Sequence, residues 1–189
     1  MNKEDLRKAY LAKRLALSTT EVLQLSQQLY HLFFVHIDLS FVKVLHLYLP
    51  AAKFNEPDTW PILDRVRREM PHIRIALPKV NKQNNTIDHI FFEGLHQLES
   101  NGWGIQEPRS GVPAEPHQMD MVIVPLLACD KEGYRIGYGK GYYDRFLADC
   151  RPDCQGIGLS LFELEDKIPH EDHDVPLDAC ITPEAFIKF

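Results

Sequence analysis

Apolar residues in this chain recur at helical spacing in some segments and as short unbroken runs in others. Over residues 2–17, Leu6, Tyr10 and Leu17 fall on one stripe at about 100° per residue, which predicts an amphipathic helix. Lys3, Arg7 and Arg14 stack beside that stripe within roughly 40° of one another, a basic edge whose stems can pack while the heads reach toward a cleft. Ser18-Thr-Thr-Glu21 has the spacing of a capping box and opens a second helix with Val22, Leu25, Leu29, Leu32 and Phe33 inward. The run from Val42 to Leu49 predicts a strand buried on both faces. A loop from Pro50 to Pro57 carries Lys53 and Glu56, and Thr59 stands as the cap of a third helix with Pro61 in its first turn, reaching Met70.

Further along, Ile73–Leu77 predicts a strand ending at Pro78-Lys79, followed by a polar turn at 81–85 and a returning strand at Ile87–Phe92. A short helical piece is expected around Leu95–Leu98, then a Gly- and Pro-rich connection from Trp103 to Gln118. Met121–Ala128 reads as a buried strand, with a helix ending near Cys150, a strand at Gln155–Leu161 and a last apolar segment at Ala179–Thr182. This alternation predicts one α/β domain over residues 1–189, three layers deep, with a mainly parallel sheet covered on both faces. Ligands of such sheets sit outside the carboxyl ends of the strands. The loops after Leu49, Leu77 and Leu127 should therefore converge, bringing Glu56, Lys79 and the segment after Leu127 toward one cleft.

Composition narrows the function. The 189 residues are 44% hydrophobic and 25% charged, ordinary for a soluble globular chain, and the formal net charge of −6 disfavours a broad nucleic-acid surface. No apolar stretch approaches the roughly 20 residues of a membrane helix, and Met1-Asn-Lys-Glu-Asp is unlike a signal peptide, so a cytoplasmic monomer acting on small molecules is expected. Cys129, Cys150, Cys154 and Cys180 form no C-x-x-C pair and read as free thiols. His170 with His173 is too sparse for a zinc site.

Candidate chemistry concentrates between residues 130 and 147. Four of the ten glycines, Gly133, Gly137, Gly139 and Gly141, fall within nine residues, with Arg135, Lys140 and Arg145 among them. Glycines let backbone N–H groups converge, and a helix N-terminus behind them favours an anion. A Walker A loop would need Gly at 134 and Ser or Thr at 141, where this chain has Tyr134 and Gly141. The dinucleotide fingerprint would need its third glycine one place beyond Gly141. A phosphate loop of another pattern remains, with the backbone of Gly137–Gly141, Lys140 and Arg135 as charge-neutralising groups. Asp130, three places before Gly133, reads as a turn residue, and at least one of Tyr142 and Tyr143 as core.

The segment Gly133-Tyr-Arg-Ile-Gly-Tyr-Gly-Lys-Gly-Tyr-Tyr-Asp-Arg-Phe-Leu147 resembles the signature of the 5-formyltetrahydrofolate cyclo-ligase, or 5,10-methenyltetrahydrofolate synthetase, family. In order along the chain, Lys3 with Leu6-Arg7, Glu56 with Thr59, Glu107-Pro108, Pro125, Asp130 and His173-Asp174 also resemble that family's positions. The resemblance implies a three-layer α/β/α fold like the ribose-5-phosphate isomerase and CoA-transferase group. It implies ATP-dependent closure of 5-formyltetrahydrofolate to 5,10-methenyltetrahydrofolate, with Mg²⁺, giving ADP and phosphate. Lys3, Arg7, Arg135, Gly137, Tyr138, Gly139, Lys140, Gly141, Tyr142 and Tyr143 would bind ATP, with Arg135 and Lys140 acting on the transferred group. Glu56, Tyr138, Gly139, Lys140, Gly141 and Tyr142 would meet the folate, and Asp144 and Asp174 would ligate Mg²⁺. The loop before Glu56 is longer than the family's pattern, so a folate contact at Leu49 is not assigned. Two other readings share these residues: an ATP-independent sugar-phosphate isomerase or CoA transferase using Glu56, and a non-catalytic folate or nucleotide-binding module.

Overall fold

The computed structural model describes residues 2–81, 83–84, 86–102 and 104–189. Met1, Lys82 and Asn85 of the expected turn, and Trp103 at the start of the expected connection, lie outside the described residues.

The first two helices form where expected. α1 (Lys3–Leu15) starts at Asn2, whose Oδ1 accepts from the Asp5 N–H at 2.9 Å. α2 (Thr19–His36) opens on the full Ser18/Glu21 capping box and buries Val22, Leu29 and Phe33. β1 spans only Val44–His46, because the ladder to its neighbours ends there while Leu47, Tyr48 and Leu49 stay buried as the chain leaves the sheet. α3 (Trp60–Glu69) follows, but Thr59 does not cap it through its side chain. The Thr59 hydroxyl instead donates to the Tyr48 carbonyl at 2.6 Å, and Asp58 Oδ1 accepts from the Trp60 N–H.

β2 (Arg74–Asn81) runs through Pro78 rather than stopping at it, paired antiparallel with β3 (Thr86–Phe91). The Ala76 carbonyl accepts from the Leu47 N–H, so the alternate Pro78 faces the same side, beyond the end of β1, where no ladder donor is required. A single 3₁₀ turn at Leu95–Gln97 leads to a two-stranded ribbon, β4 (Leu98–Ser100) with β5 (Gln106–Pro108), the second strand falling inside the expected connection. The ribbon's polar composition gave it no apolar rhythm to read.

β6 (Met121–Val124) ends before Pro125, so the expected strand to Ala128 is cut in two. A hairpin of β7 (Ala128–Cys129) and β8 (Arg135–Ile136) then precedes α4 (Tyr142–Asp149). Asp130 holds the hairpin tip: its buried carboxylate accepts from the N–H groups of Glu132, Tyr134 and Ile168. Gly133 turns there at φ +87°, where a Cβ would lie 2.8 Å from the Leu177 carbonyl. β9 (Gln155–Leu159), β10 (Ala179–Ile181) and an unexpected edge strand β11 (Phe186–Lys188) complete the chain.

The seven-stranded sheet has the order β11-β10-β9-β6-β1-β2-β3, parallel throughout except for the antiparallel strand at each edge. Successive side chains of a strand face opposite ways, and the core divides accordingly. Leu45, Ile75, Leu77, Met121 and Ile123 pack under α2 and α3, whereas Val44, Ala76, Val122 and Val124 pack with Phe146 of α4. The layers are therefore α/β/α, as the apolar strands implied. Leu6 of α1 joins a smaller cluster with Leu127, Ala128, Ile136 and Ile168, which docks the N-terminal helix beside the hairpin.

Candidate active site

A cleft of about 560 Å³ opens beyond the carboxyl ends of the central strands. It gathers Lys3 and Arg7 from α1, Tyr48, Leu49 and Glu56 from the segment after β1, and Pro78 and Val80 from β2. The whole stretch Arg135–Asp144 lines it, with Ile105–Glu107, Glu171, His173 and Asp174. Every residue to which the family resemblance gave a ligand thus borders one cavity. Lys79 does not: its Nζ turns away and donates to the Arg109 carbonyl.

The glycine loop forms because two of its residues take left-handed backbone, Gly139 at φ +83° and Gly141 at φ +63°. A Cβ on Gly139 would stand 2.8 Å from Cζ of Arg7, so the missing side chain is what lets that guanidinium lie on the loop. Arg7 Nε donates to the Gly137 carbonyl at 2.9 Å. Gly141 is the N-cap of α4 with no capping side chain, and the first turn of that helix lines the cavity. Lys140 is exposed at the rim. Arg145 turns back, donating to the Lys140 carbonyl at 3.2 Å.

Arg135 and Asp144, assigned by resemblance to nucleotide and metal, are bonded to each other: Nη2 reaches Asp144 Oδ1 at 2.7 Å. Nη1 donates to the Val175 carbonyl at 2.5 Å. Burial lowers the guanidinium's pKa, and the Asp144 charge pulls the other way. Asp174 pairs with Lys3 and accepts from the Glu171 N–H, so it closes a turn and faces the cleft at once. Burial raises its pKa, but the Lys3 and Glu171 hydrogen bonds outweigh that and hold it below the usual carboxylate range. The described bonds fall on Asp144 Oδ1 and Asp174 Oδ2. The other oxygen of each accepts nothing among the described residues. Two hard carboxylate oxygens suit Mg²⁺ only if phosphate oxygens and water complete the shell, since the described residues hold no group of three or more candidate ligands.

On the opposite wall Glu56 is buried, with Oε1 accepting from the Tyr138 hydroxyl and Oε2 from the Ala51 N–H, each at 2.6 Å. Burial pushes its pKa up, while Tyr138, the Ala51 amide and Arg14 pull it down less strongly. Before Glu56 the chain makes a 3₁₀ turn, Ala52–Phe54, closed by Asn55 at φ +50°. Leu49 lines the cavity. The hydroxyls of Tyr48 and Tyr143 also border the cleft, buried and without a hydrogen-bond partner among the described residues. The core reading fits Tyr143, whose ring packs against Phe146 and whose hydroxyl is buried.

Sequence reasoning missed Tyr48 and misread Arg14. Arg14 is buried in head as well as stem rather than reaching into the cleft. Its helical angle gave no signal, because Lys3 lies nearer the Leu6–Tyr10–Leu17 stripe and is less buried. The four cysteines are free, as read.

The model of the 5-formyltetrahydrofolate cyclo-ligase family matches residues 1–183. A 5-formyltetrahydrofolate cyclo-ligase of Mycoplasma pneumoniae is 30% identical over 185 residues, 97% of this chain and 100% of that protein. One from Escherichia coli K12 is 32% identical over 136 residues, 68% of this chain and 72% of its own. The solved structure of Aquifex aeolicus 5,10-methenyltetrahydrofolate synthetase superposes with a TM-score of 0.81 at 31% identity, covering 100% of this chain and 93% of that one.

Proposed function

The chain belongs to the 5-formyltetrahydrofolate cyclo-ligase family, and from that premise we propose that its cleft closes 5-formyltetrahydrofolate to 5,10-methenyltetrahydrofolate at the expense of ATP. The observation that carries this reading is the convergence of two unlike walls in one cavity. One is the glycine loop with Arg7, Lys140 and the N-terminus of α4, suited to a triphosphate. The other is the buried Glu56 with Tyr138, suited to the amino and N–H edge of a pterin.

The formyl oxygen is a poor leaving group until it carries a phosphoryl group. The γ-phosphoryl passes from ATP to that oxygen, releasing ADP. The second folate nitrogen then bonds to the formyl carbon and loses its proton, and the C–O bond breaks with release of phosphate. Such transfer needs positioning and charge neutralisation rather than a protein nucleophile. Lys140 can reach the moving phosphoryl from the rim, and the loop amides can hold the phosphates behind it. Arg135 keeps Asp144 in place beneath the loop. Mg²⁺, held by Asp144 and Asp174 with the nucleotide, would supply further neutralisation of phosphate charge.

The family match and the solved relatives favour this ligase over the isomerase or transferase reading. The test is spectrophotometric: purified protein with 5-formyltetrahydrofolate should develop the methenyl chromophore only with Mg-ATP, forming ADP in equal amount. Product without nucleotide, or binding of both ligands without product, would defeat the proposal. For the metal, Asp144→Asn should raise the Mg²⁺ concentration needed for half-maximal rate, and an unchanged titration would remove Asp144 as a ligand.

A further inference from the structure

Arg14 is 1% exposed, and an arginine so deeply buried needs acceptors for its charge and its N–H groups. It finds three, each from a different part of the chain. Nε donates to the Phe54 carbonyl at 2.7 Å, in the turn that leads into Glu56. Nη1 donates to the Leu126 carbonyl at 2.9 Å, between β6 and the hairpin. Nη2 donates to the Tyr138 hydroxyl, which in turn donates to Glu56 Oε1 at 2.6 Å. The guanidinium's planar fork is what reaches three acceptors at once, a task an ammonium on a flexible stem cannot repeat.

We propose that Arg14 is a positioning residue for folate binding, holding Glu56 as an oriented carboxylate through Tyr138 and fixing the turn that presents it. This rests on the reading of Glu56 as the folate anchor. Arg14 does not line the cavity, so it acts through the groups that do. Burial works against the charged form of Glu56. The groups that face it are Arg14 from α1, Tyr48 and the Ala51 amide from the segment after β1, Tyr138 from the glycine loop and Tyr143 from α4. Among these Arg14 is the one full positive charge. Its removal leaves a buried carboxylate facing three phenols and one amide, which shifts the balance toward the protonated acid. A protonated Glu56 no longer presents two acceptor oxygens to a pterin edge.

The test is the pH profile of kcat/KM for 5-formyltetrahydrofolate, measured alongside KM for ATP, in wild type, Arg14→Met, Arg14→Lys, Tyr138→Phe and Glu56→Gln. In Arg14→Met the acid limb should move to higher pH by about one unit or more, with folate KM at neutral pH raised about tenfold and ATP KM within about twofold. Arg14→Lys, which keeps charge without the fork, should restore part of the limb's position but not the wild-type folate KM. Tyr138→Phe removes the hydroxyl between the two groups and should move the limb in the same direction, so it carries the test if Arg14→Met does not fold. Glu56→Gln separates the two readings. If it leaves folate KM unchanged, the anchor assignment fails and this inference with it. If it raises folate KM while neither Arg14→Met nor Tyr138→Phe moves the limb, the anchor stands and the role given to Arg14 is overturned. Equal loss of affinity for ATP and folate without a limb shift would mark Arg14 as a general fold residue and also overturn it.

Discussion

Lys140 and Arg135 carry the same formal charge in one loop, but their surroundings give them different work. Both arms of the Arg135 fork are occupied, by Asp144 and the Val175 carbonyl, and the side chain is 5% exposed. Removing it leaves the part-buried Asp144 and the Val175 carbonyl without their charged partner, so Arg135→Ala should appear first as lost stability, about 1–3 kcal/mol in a denaturant melt. Lys140 stands at the rim and is free to follow a phosphoryl group. Lys140→Ala should lower kcat at least tenfold, about 1.4 kcal/mol of transition-state stabilisation, with an unchanged melt. Wild-type turnover would strip Lys140 of that role. The sequence made both residues visible because the loop is contiguous. It could not tell them apart, since what separates them is Val175, 40 positions away. Arg14 shows the same limit: its acceptors at Phe54 and Leu126 lie 40 and 112 positions along the chain. Helical angle set it beside the apolar stripe with Lys3 and Arg7, and no local pattern could supply its partners.

Strands with both faces buried announce themselves as apolar runs, which is why the order of helices and strands and the parallel sheet were legible. Their ends were not, because burial continues where hydrogen-bonded pairing stops, as at Leu47–Leu49 and after Val124. Within the glycine loop the backbone separates two residues of equal sequence appearance. Gly139 has positive φ and no room for a Cβ against Arg7, whereas Gly137 has neither restriction, with nothing within 4 Å. Gly139→Ala should therefore raise ATP KM well beyond the effect of Gly137→Ala, and equal effects would refute the packing of Arg7 on the loop. Under α4, His46 of β1 and His89 of β3 meet at 3.1 Å between ring nitrogens, with Phe146 stacked on His89. Burial lowers both pKa values, that of His89 to about 4 and that of His46 well below its ordinary value. The unfolded chain then binds protons that the folded one refuses. Stability should be complete above the ordinary histidine value near 6.5 and fall as pH drops from there toward 4, by about 1.4 kcal/mol per unit for each histidine. Urea melts between pH 7 and pH 4.5 would show it, and His89→Gln should flatten the slope. The part contributed by His46 should remain, and an unchanged slope in His89→Gln would place the acid sensitivity elsewhere.

α1 is tied to several separate segments around the cleft. Lys3 pairs with Asp174 near the C-terminal end, Arg7 holds Gly137, and Tyr10 donates to Glu165. Arg14 reaches the turn before Glu56 and the stretch after β6, and Leu6 packs on Leu127, Ile136 and Ile168. The sequence showed an amphipathic helix with a basic edge; only the folded chain shows that this helix spans both proposed ligand walls. Its apolar contribution to the docking cluster is small beside the main core, so the polar links carry a large part of its attachment. Such an element opens at lower free energy than the sheet. A nucleotide that engages Lys3, Arg7 and the loop together would bind only the docked state, stabilising it by RT ln(1 + [L]/Kd), about 2.7 kcal/mol at a hundredfold excess over Kd. Hydrogen exchange of the α1 amides should accordingly slow by up to about a hundredfold when Mg-ATP saturates the protein, while the central strands change little. In Arg7→Ala that protection should largely vanish even at nucleotide concentrations that restore occupancy, because the contact between helix and loop is gone. Uniform protection across the whole sheet, or protection of α1 that survives in Arg7→Ala, would mean that the helix is part of the rigid scaffold and does not respond to the nucleotide.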